Sequence, residues 1–135
     1  MQTSPSEAVR IEADQDVVRV RQAVRALAVA AALSLVDQTK VVTAASELAR
    51  NTLIYGGGGE AVLEIVSNDR RRGVRVTFVD EGPGIADLNL ALTDGYTTGG
   101  GLGLGLSGAR RLVDEFEIDS VPRQGTRIVV TKWGR

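Results

Sequence analysis

The chain has 135 residues, a formal net charge of −1, and neither cysteine nor histidine. Its length predicts a single domain. The missing residue types exclude disulfides, Cys/His zinc sites, thiol nucleophiles and Ser-His-Asp triads, and the near-neutral charge argues against bulk nucleic-acid or membrane-surface binding, which needs a basic excess.

Any catalytic base must therefore be a carboxylate, a lysine, a tyrosine or the N-terminus. The polar start Gln2-Thr3-Ser4-Pro5-Ser6-Glu7 does not read as a signal peptide, and the longest apolar run, Ala26 to Leu33, is too short to span a bilayer. A cytoplasmic setting is the expectation. Residues 1–8 read as a loose tail and 9–135 as one domain.

Val9 to Ala13 alternates at period two and predicts a short strand. Asp14 then offers an N-cap for a helix from about Gln15 to Leu33, with Val17, Val20, Val24, Leu27, Ala28 and Ala31 on one side. Asp37 offers a second cap, for a helix from about Gln38 to Tyr55 whose buried stripe is Val41, Ala45, Leu48 and Thr52. Another face of that helix carries Thr43, Glu47, Arg50, Asn51 and Ile54. Glu47 and Asn51 are one turn apart and point the same way. Taken alone, they read either as a solvated polar face or as part of a site.

Gly56-Gly57-Gly58-Gly59 stops the helix and reads as a flexible connector. Ala61 to Ser67 and Gly73 to Asp80 predict a hairpin around Asn68 to Arg72, which places Arg70-Arg71-Arg72 in a solvated turn. Asp80 is in phase with Val74, Val76 and Phe78, and if that face meets the helices it points toward the core side where the strand ends. A carboxylate there needs a partner, because burying it alone is costly. Gly82-Pro83-Gly84 then forbids continuation of the strand.

Ala86 to Thr93 predicts a short helix, and Asp94 to Thr98 leads into Gly99-Gly100-Gly101-Leu102-Gly103-Leu104-Gly105. Glycine costs roughly 1 kcal/mol against alanine inside a helix, so such density belongs where backbone bends or approaches something closely. A helix reading from Ala109 to Phe116 follows, and a glycine-rich lead into a helix N-terminus suits an anion. A linker or tight turn is the alternative, although linkers are usually polar and this stretch alternates leucine with glycine. Glu117 to Val121 and Thr126 to Trp133 predict a closing hairpin, with Thr126 in phase with Ile128 and Val130. The order strand, helix, helix, strand, strand, helix, strand, strand fits an α+β two-layer sandwich.

A Walker-type loop requires Gly-Lys-Ser/Thr, but no lysine lies between Lys40 and Lys132. The dinucleotide fingerprint belongs at the first strand–helix turn of a parallel unit, and the kinase glycine loop precedes a strand bearing lysine; neither context occurs here.

Three separated stretches do fit one pattern. Glu47-Leu48-Ala49-Arg50-Asn51 on a helix, Asp80-Glu81-Gly82-Pro83-Gly84 closing a strand, and Gly99 to Gly105 opening a helix resemble, in order, the N, G1 and G2 boxes of the GHKL ATPase superfamily. That fold is shared by histidine-kinase catalytic domains, gyrase B, Hsp90 and MutL. Thr126 after Gly125 matches its late Gly-Thr. Within the superfamily the chain looks closest to the small bacterial serine/threonine kinases of the anti-sigma type, and most specifically to the RsbT kind. Ser46 to Asn51, Asp94 to Gly100, Arg111 to Phe116 and Thr131-Lys132-Trp133 carry that likeness. Leu104, Ser107 and the four-glycine run depart from the pattern.

The resemblance implies three main helices on one face of a mixed, mostly antiparallel five-stranded sheet. It implies ATP and Mg²⁺ as cofactors, with Asp80 accepting from the adenine amino group and Gly82, Gly84 and Ile85 in the same box around the base. Thr126 would assist at the adenine edge, and Asn51 would coordinate Mg²⁺. Gly99, Gly100, Gly101, Leu102, Gly103, Leu104 and Gly105 would form a lid over the phosphates, hinged at Thr97 and Thr98. Glu47 would be the base for the attacking hydroxyl. Implied partners are STAS-domain proteins of the RsbS or RsbR kind as substrates and a PP2C-type phosphatase of the RsbU kind. A sigma-factor-binding kinase of the RsbW kind and a non-catalytic ATP-dependent binding module remain the alternatives.

Overall fold

The computed structural model describes residues 2–3, 6–84 and 105–134. In chain order these form β1 (Gln2–Thr3), β2 (Glu7–Ile11), α1 (Asp14–Ala30), α2 (Leu35–Ile54), β3 (Gly59–Asn68), β4 (Arg71–Asp80), α3 (Gly105–Leu112), β5 (Glu115–Val121) and β6 (Gly125–Trp133). The expected helix at Ala86 to Thr93 lies outside the described residues.

The sheet order is β1-β3-β4-β6-β5, with β2 also paired to β3, so β1 and β2 share one edge position. Every pairing among the described residues is antiparallel, where a mixed sheet was expected. The connections account for it. The α1–α2 hairpin returns the chain beside β2 in the opposite sense, and β3–β4 and β5–β6 are hairpins. Residues 7 and 8, expected in a loose tail, pair with Leu63 and Val62.

Parity along each strand decides what is buried. Val9 and Ile11, Ala61 and Leu63, Val74, Val76 and Phe78, and Ile128 and Val130 face the helices. They pack in one cluster with Val20, Val24 and Ala28 of α1, with Val41, Ala45 and Leu48 of α2, and with Leu106 and Ala109 of α3. The expected stripe of α2 is buried at all four positions. Ala28, Ala44, Ala45 and Ala49 are fully buried, and their small side chains let backbones approach.

The helix starts differ from expectation in an instructive way. The N-cap of α1 is Ala13, not Asp14. The first turn is closed from inside by Asp16, whose Oδ2 accepts the Glu12 N–H at 2.9 Å and the Ala13 N–H at 3.0 Å. Its ionised form is thereby favoured, and its carboxyl sits below the usual range, chiefly through the Glu12 N–H and secondarily through the Ala13 N–H and Arg19, against an opposing effect of burial. In α2 the cap is Ser34, whose Oγ accepts the Asp37 N–H at 3.1 Å. That frees Asp37 for a tertiary contact. The third helix ends at Leu112, four residues short of Phe116, which instead lies in β5.

Candidate functional site

Asp80 is the last residue of β4, on the helix-facing side as its phase requires, and it is half-buried. Its Oδ1 accepts the Gly82 N–H at 2.9 Å, so the residue turns the chain with its own side chain. Directly across the ladder its neighbours are Gly59 on β3 and Thr126 on β6. Thr126 is buried, and its hydroxyl lies 2.8 Å from the Ser120 hydroxyl.

Glycine backbone approaches Asp80 closely on two sides. A Cβ on Gly56 would stand 2.6 Å from Asp80 Oδ2, and a Cβ on Gly82 would stand 2.7 Å from Gly56 Cα. On the other side, the position of a Gly125 Cβ collides with the Asp80 carbonyl oxygen, and this residue holds φ +123°. The β5–β6 turn is drawn onto the same place, because the Arg123 N–H donates to the Pro83 carbonyl at 2.6 Å. The four-glycine run is therefore more than a connector. Gly56 is packed into the site, and Gly59 already belongs to β3.

The C-terminal half of α2 leads straight into this region. Glu47 and Asn51 are both half-buried, between the buried stripe and the exposed Arg50 and Ile54. The Asn51 carbonyl accepts from the Tyr55 N–H at 2.9 Å and the Gly56 N–H at 3.2 Å. The turn carrying Asn51 is thus tied to the glycine that touches Asp80. Gly84, with φ +76°, abuts the Val121 carbonyl. Gly105 is the first residue of α3, with φ +70°. Ile85, Thr97, Thr98, Gly99, Gly100, Gly101, Leu102, Gly103 and Leu104 lie outside the described residues.

Three features escaped the sequence reading. Gly56 looked like any other glycine of its run, and only the proximity of β4 shows what it touches. Ser120 carries no motif. Lys132, on the helix-facing side of β6, is buried: its Nζ lies 3.1 and 3.2 Å from the two carboxylate oxygens of Asp114 and 3.5 Å from Asp37 Oδ1. Three ionisable residues scattered along the chain give no local signal of such a cluster.

A two-layer fold with a strand-end carboxylate walled by glycines, beside a helix bearing Glu and Asn one turn apart, defines an ATP-binding domain of the GHKL class. The model of the histidine kinase-, DNA gyrase B- and HSP90-like ATPases matches residues 36–133, and the chain belongs to that family. It is 43% identical over 127 residues to the serine/threonine-protein kinase RsbT of Bacillus subtilis (strain 168), covering 94% of this chain and 96% of that protein. It is also 32% identical over 116 residues to the anti-sigma F factor of Clostridium novyi (strain NT), covering 78% and 81% respectively. Among solved structures, the RsbU and RsbW domains of a Mycobacterium tuberculosis protein superpose with a TM-score of 0.67 at 21% identity. That match covers 98% of this chain and 33% of the other, and at this identity it speaks to the fold alone.

Proposed function

We propose that the chain is an ATP-dependent serine/threonine protein kinase of the GHKL type. The observation that carries this reading is the setting of Asp80. One carboxylate oxygen is engaged by Gly82, and the other lies beside Gly56, which has no side chain. An acceptor-only group bordered by glycine backbone suits a donor-bearing base. Asp80 would hold the adenine amino group, with Gly82, Gly84 and Ile85 around the ring and Thr126 at its edge.

The residues present also fit a metal held mostly by other oxygens. No group of three or more His, Cys, Asp or Glu side chains gathers among the described residues. Mg²⁺ usually keeps several waters and takes few protein ligands, so Asn51 as its one contact from this chain is sufficient. ATP supplies the transferred phosphoryl group. The chain's own residues would position the reactants: Asn51 would hold the metal, whose charge offsets that of the phosphates, and Glu47, one turn earlier, would take the proton of the attacking hydroxyl. By its likeness to the family, the glycine-rich stretch from Gly99 to Gly105, with Thr97 and Thr98 before it, would act as the lid, and the start of α3 would offer N–H groups to the phosphates.

The extended likeness to RsbT supports a substrate serine or threonine on a STAS-domain protein of the RsbS or RsbR kind. Release from that substrate would free the kinase to activate a PP2C-type phosphatase of the RsbU kind. Within the described residues no helix is long and apolar enough to cross a membrane, and we place the reaction in the cytoplasm.

Incubation with γ-labelled ATP and a STAS-domain protein tests the reading. Label on a serine or threonine of the partner is the expected result, and no transfer with intact ATP binding would leave a binding module. The likeness to the anti-sigma F factor supports a second reading, direct capture of a sigma factor. Recovery of a sigma subunit in place of a STAS protein on the immobilised chain would select it.

A further inference from the structure

Lys132 lies in the row of β6 that parity assigns to the core, between Val130 and the chain's end, and its side chain is 3% exposed. Its ammonium joins elements that are distant in sequence. Asp37 is in the first turn of α2, the helix of Glu47 and Asn51, and is 6% exposed. Asp114 lies two residues past the end of α3, the helix that continues the glycine-rich stretch. Asp114 is fixed twice more: its Oδ2 accepts the Trp133 N–H at 2.7 Å, and its own N–H donates to the Thr131 carbonyl at 2.9 Å. The next residue, Glu115, accepts the Trp133 indole N–H at 2.6 Å.

A buried cation between two carboxylates is a poor way to gain stability, since an apolar trio of similar volume often serves as well. What charge adds is direction. Ion-paired hydrogen bonds are short and oriented, and a displacement of about 1 Å takes them out of reach. We propose that Lys132 is a positioning residue for phosphoryl transfer, with Asp37 and Asp114 setting the spacing between α2 and the foot of α3. The inference rests on reading Glu47, Asn51 and the start of α3 as the triphosphate end of an ATP site. Leu106 and Ala109 pack α3 against the core along its length, and the ion cluster adds an oriented tie at its C-terminal end.

The test uses Asp114→Asn, which keeps volume and an oxygen for the Trp133 N–H but removes the charge facing Lys132. Lys132→Met is the second variant, and Asp114→Asn, a third exposed at this position, decides should Lys132→Met not fold. Amide exchange in residues 105–112, referenced to β3 and β4, should quicken about five-fold or more without nucleotide. Affinity for Mg·ATP should fall about five-fold or more while that for Mg·ADP stays within roughly two-fold, because the fault lies at the terminal phosphate. Unchanged exchange overturns the inference. Equal weakening of both nucleotides, or of neither, also overturns it, since a merely structural cluster would not discriminate between them. Wild-type protein that binds neither nucleotide would instead sink the reading of the site, and the exchange comparison would still report on the tie.

Discussion

Gly56 and Asp80 touch across the end of α2 and the end of β4: a Cβ on Gly56 would fall 2.6 Å from Asp80 Oδ2. That is well inside the 3.5–4.0 Å at which non-bonded atoms ordinarily rest, a spacing of about one methyl group. Gly56 also donates its N–H to the Asn51 carbonyl. The contact therefore links the carboxylate proposed to read the base with the turn proposed to hold the metal.

Replacing Gly56 by valine should force Asp80 to rotate or the end of β4 to shift. Overpacking of this kind costs about 1–3 kcal/mol, which corresponds to roughly 5- to 150-fold in affinity if it falls on the bound geometry. Titration of a fluorescent ATP analogue reads the effect. Wild-type affinity in a folded Gly56→Val protein would show that the contact does not set Asp80.

Asp80→Asn should be as damaging for a chemical reason. The amide oxygen would keep the Gly82 N–H, turning the NH₂ to where Oδ2 stood and setting a donor against the adenine donor. Hydrogen bonds to charged groups contribute about 1.5–3 kcal/mol, so a loss of roughly 10- to 100-fold in ATP affinity is expected. Circular dichroism should report an unchanged fold.

Glu47→Gln and Asn51→Ala should separate chemistry from metal binding. The first is expected to slow transfer by roughly 10²–10⁴-fold, the usual share of a general base, with ATP affinity kept. The second should abolish the Mg²⁺ dependence of nucleotide binding. Full transfer activity in Glu47→Gln would remove it from the role of base, and Mg·ATP bound at wild-type affinity by Asn51→Ala would do the same for the metal assignment.

Asp16 predicts a pH effect on stability. Folding favours its ionised form, chiefly through the Glu12 N–H, so its carboxyl lies below the usual range when folded. The unfolded chain then binds more protons below about pH 4, and stability falls as pH falls through the folded value. Denaturant midpoints measured from pH 6 downward should drop for the wild type, and Asp16→Asn should flatten part of that drop. An identical acid slope in the variant would exclude this contribution.

Particular residues show how far a linear reading reaches. Val41, Ala45, Leu48 and Thr52 are buried at their 3–4 spacing, and Asp80 and Thr126 face the helices as their phase requires. Such patterns are legible because side-chain direction repeats with the backbone. Helix starts were less so. Asp14 and Asp37 have the residue type of a cap, but Asp16 and Ser34 have the geometry, and several polar residues near a turn compete for the same orphan N–H groups. The end of α3 was missed because Leu112 to Phe116 fits either period over so short a run.

The sequence by itself determined the sandwich, the faces of its strands, and the ordered likeness of three stretches to the GHKL boxes. Each follows from local periodicity or from residue types that few chemistries require. Only the tertiary structure decided that Gly56 is packed against Asp80, that Ser120 partners Thr126, and that Lys132 sits between Asp37 and Asp114. These pairs are separated in the chain and brought together by sheet register and helix packing. Their distances depend on where whole elements come to rest, which no local pattern encodes.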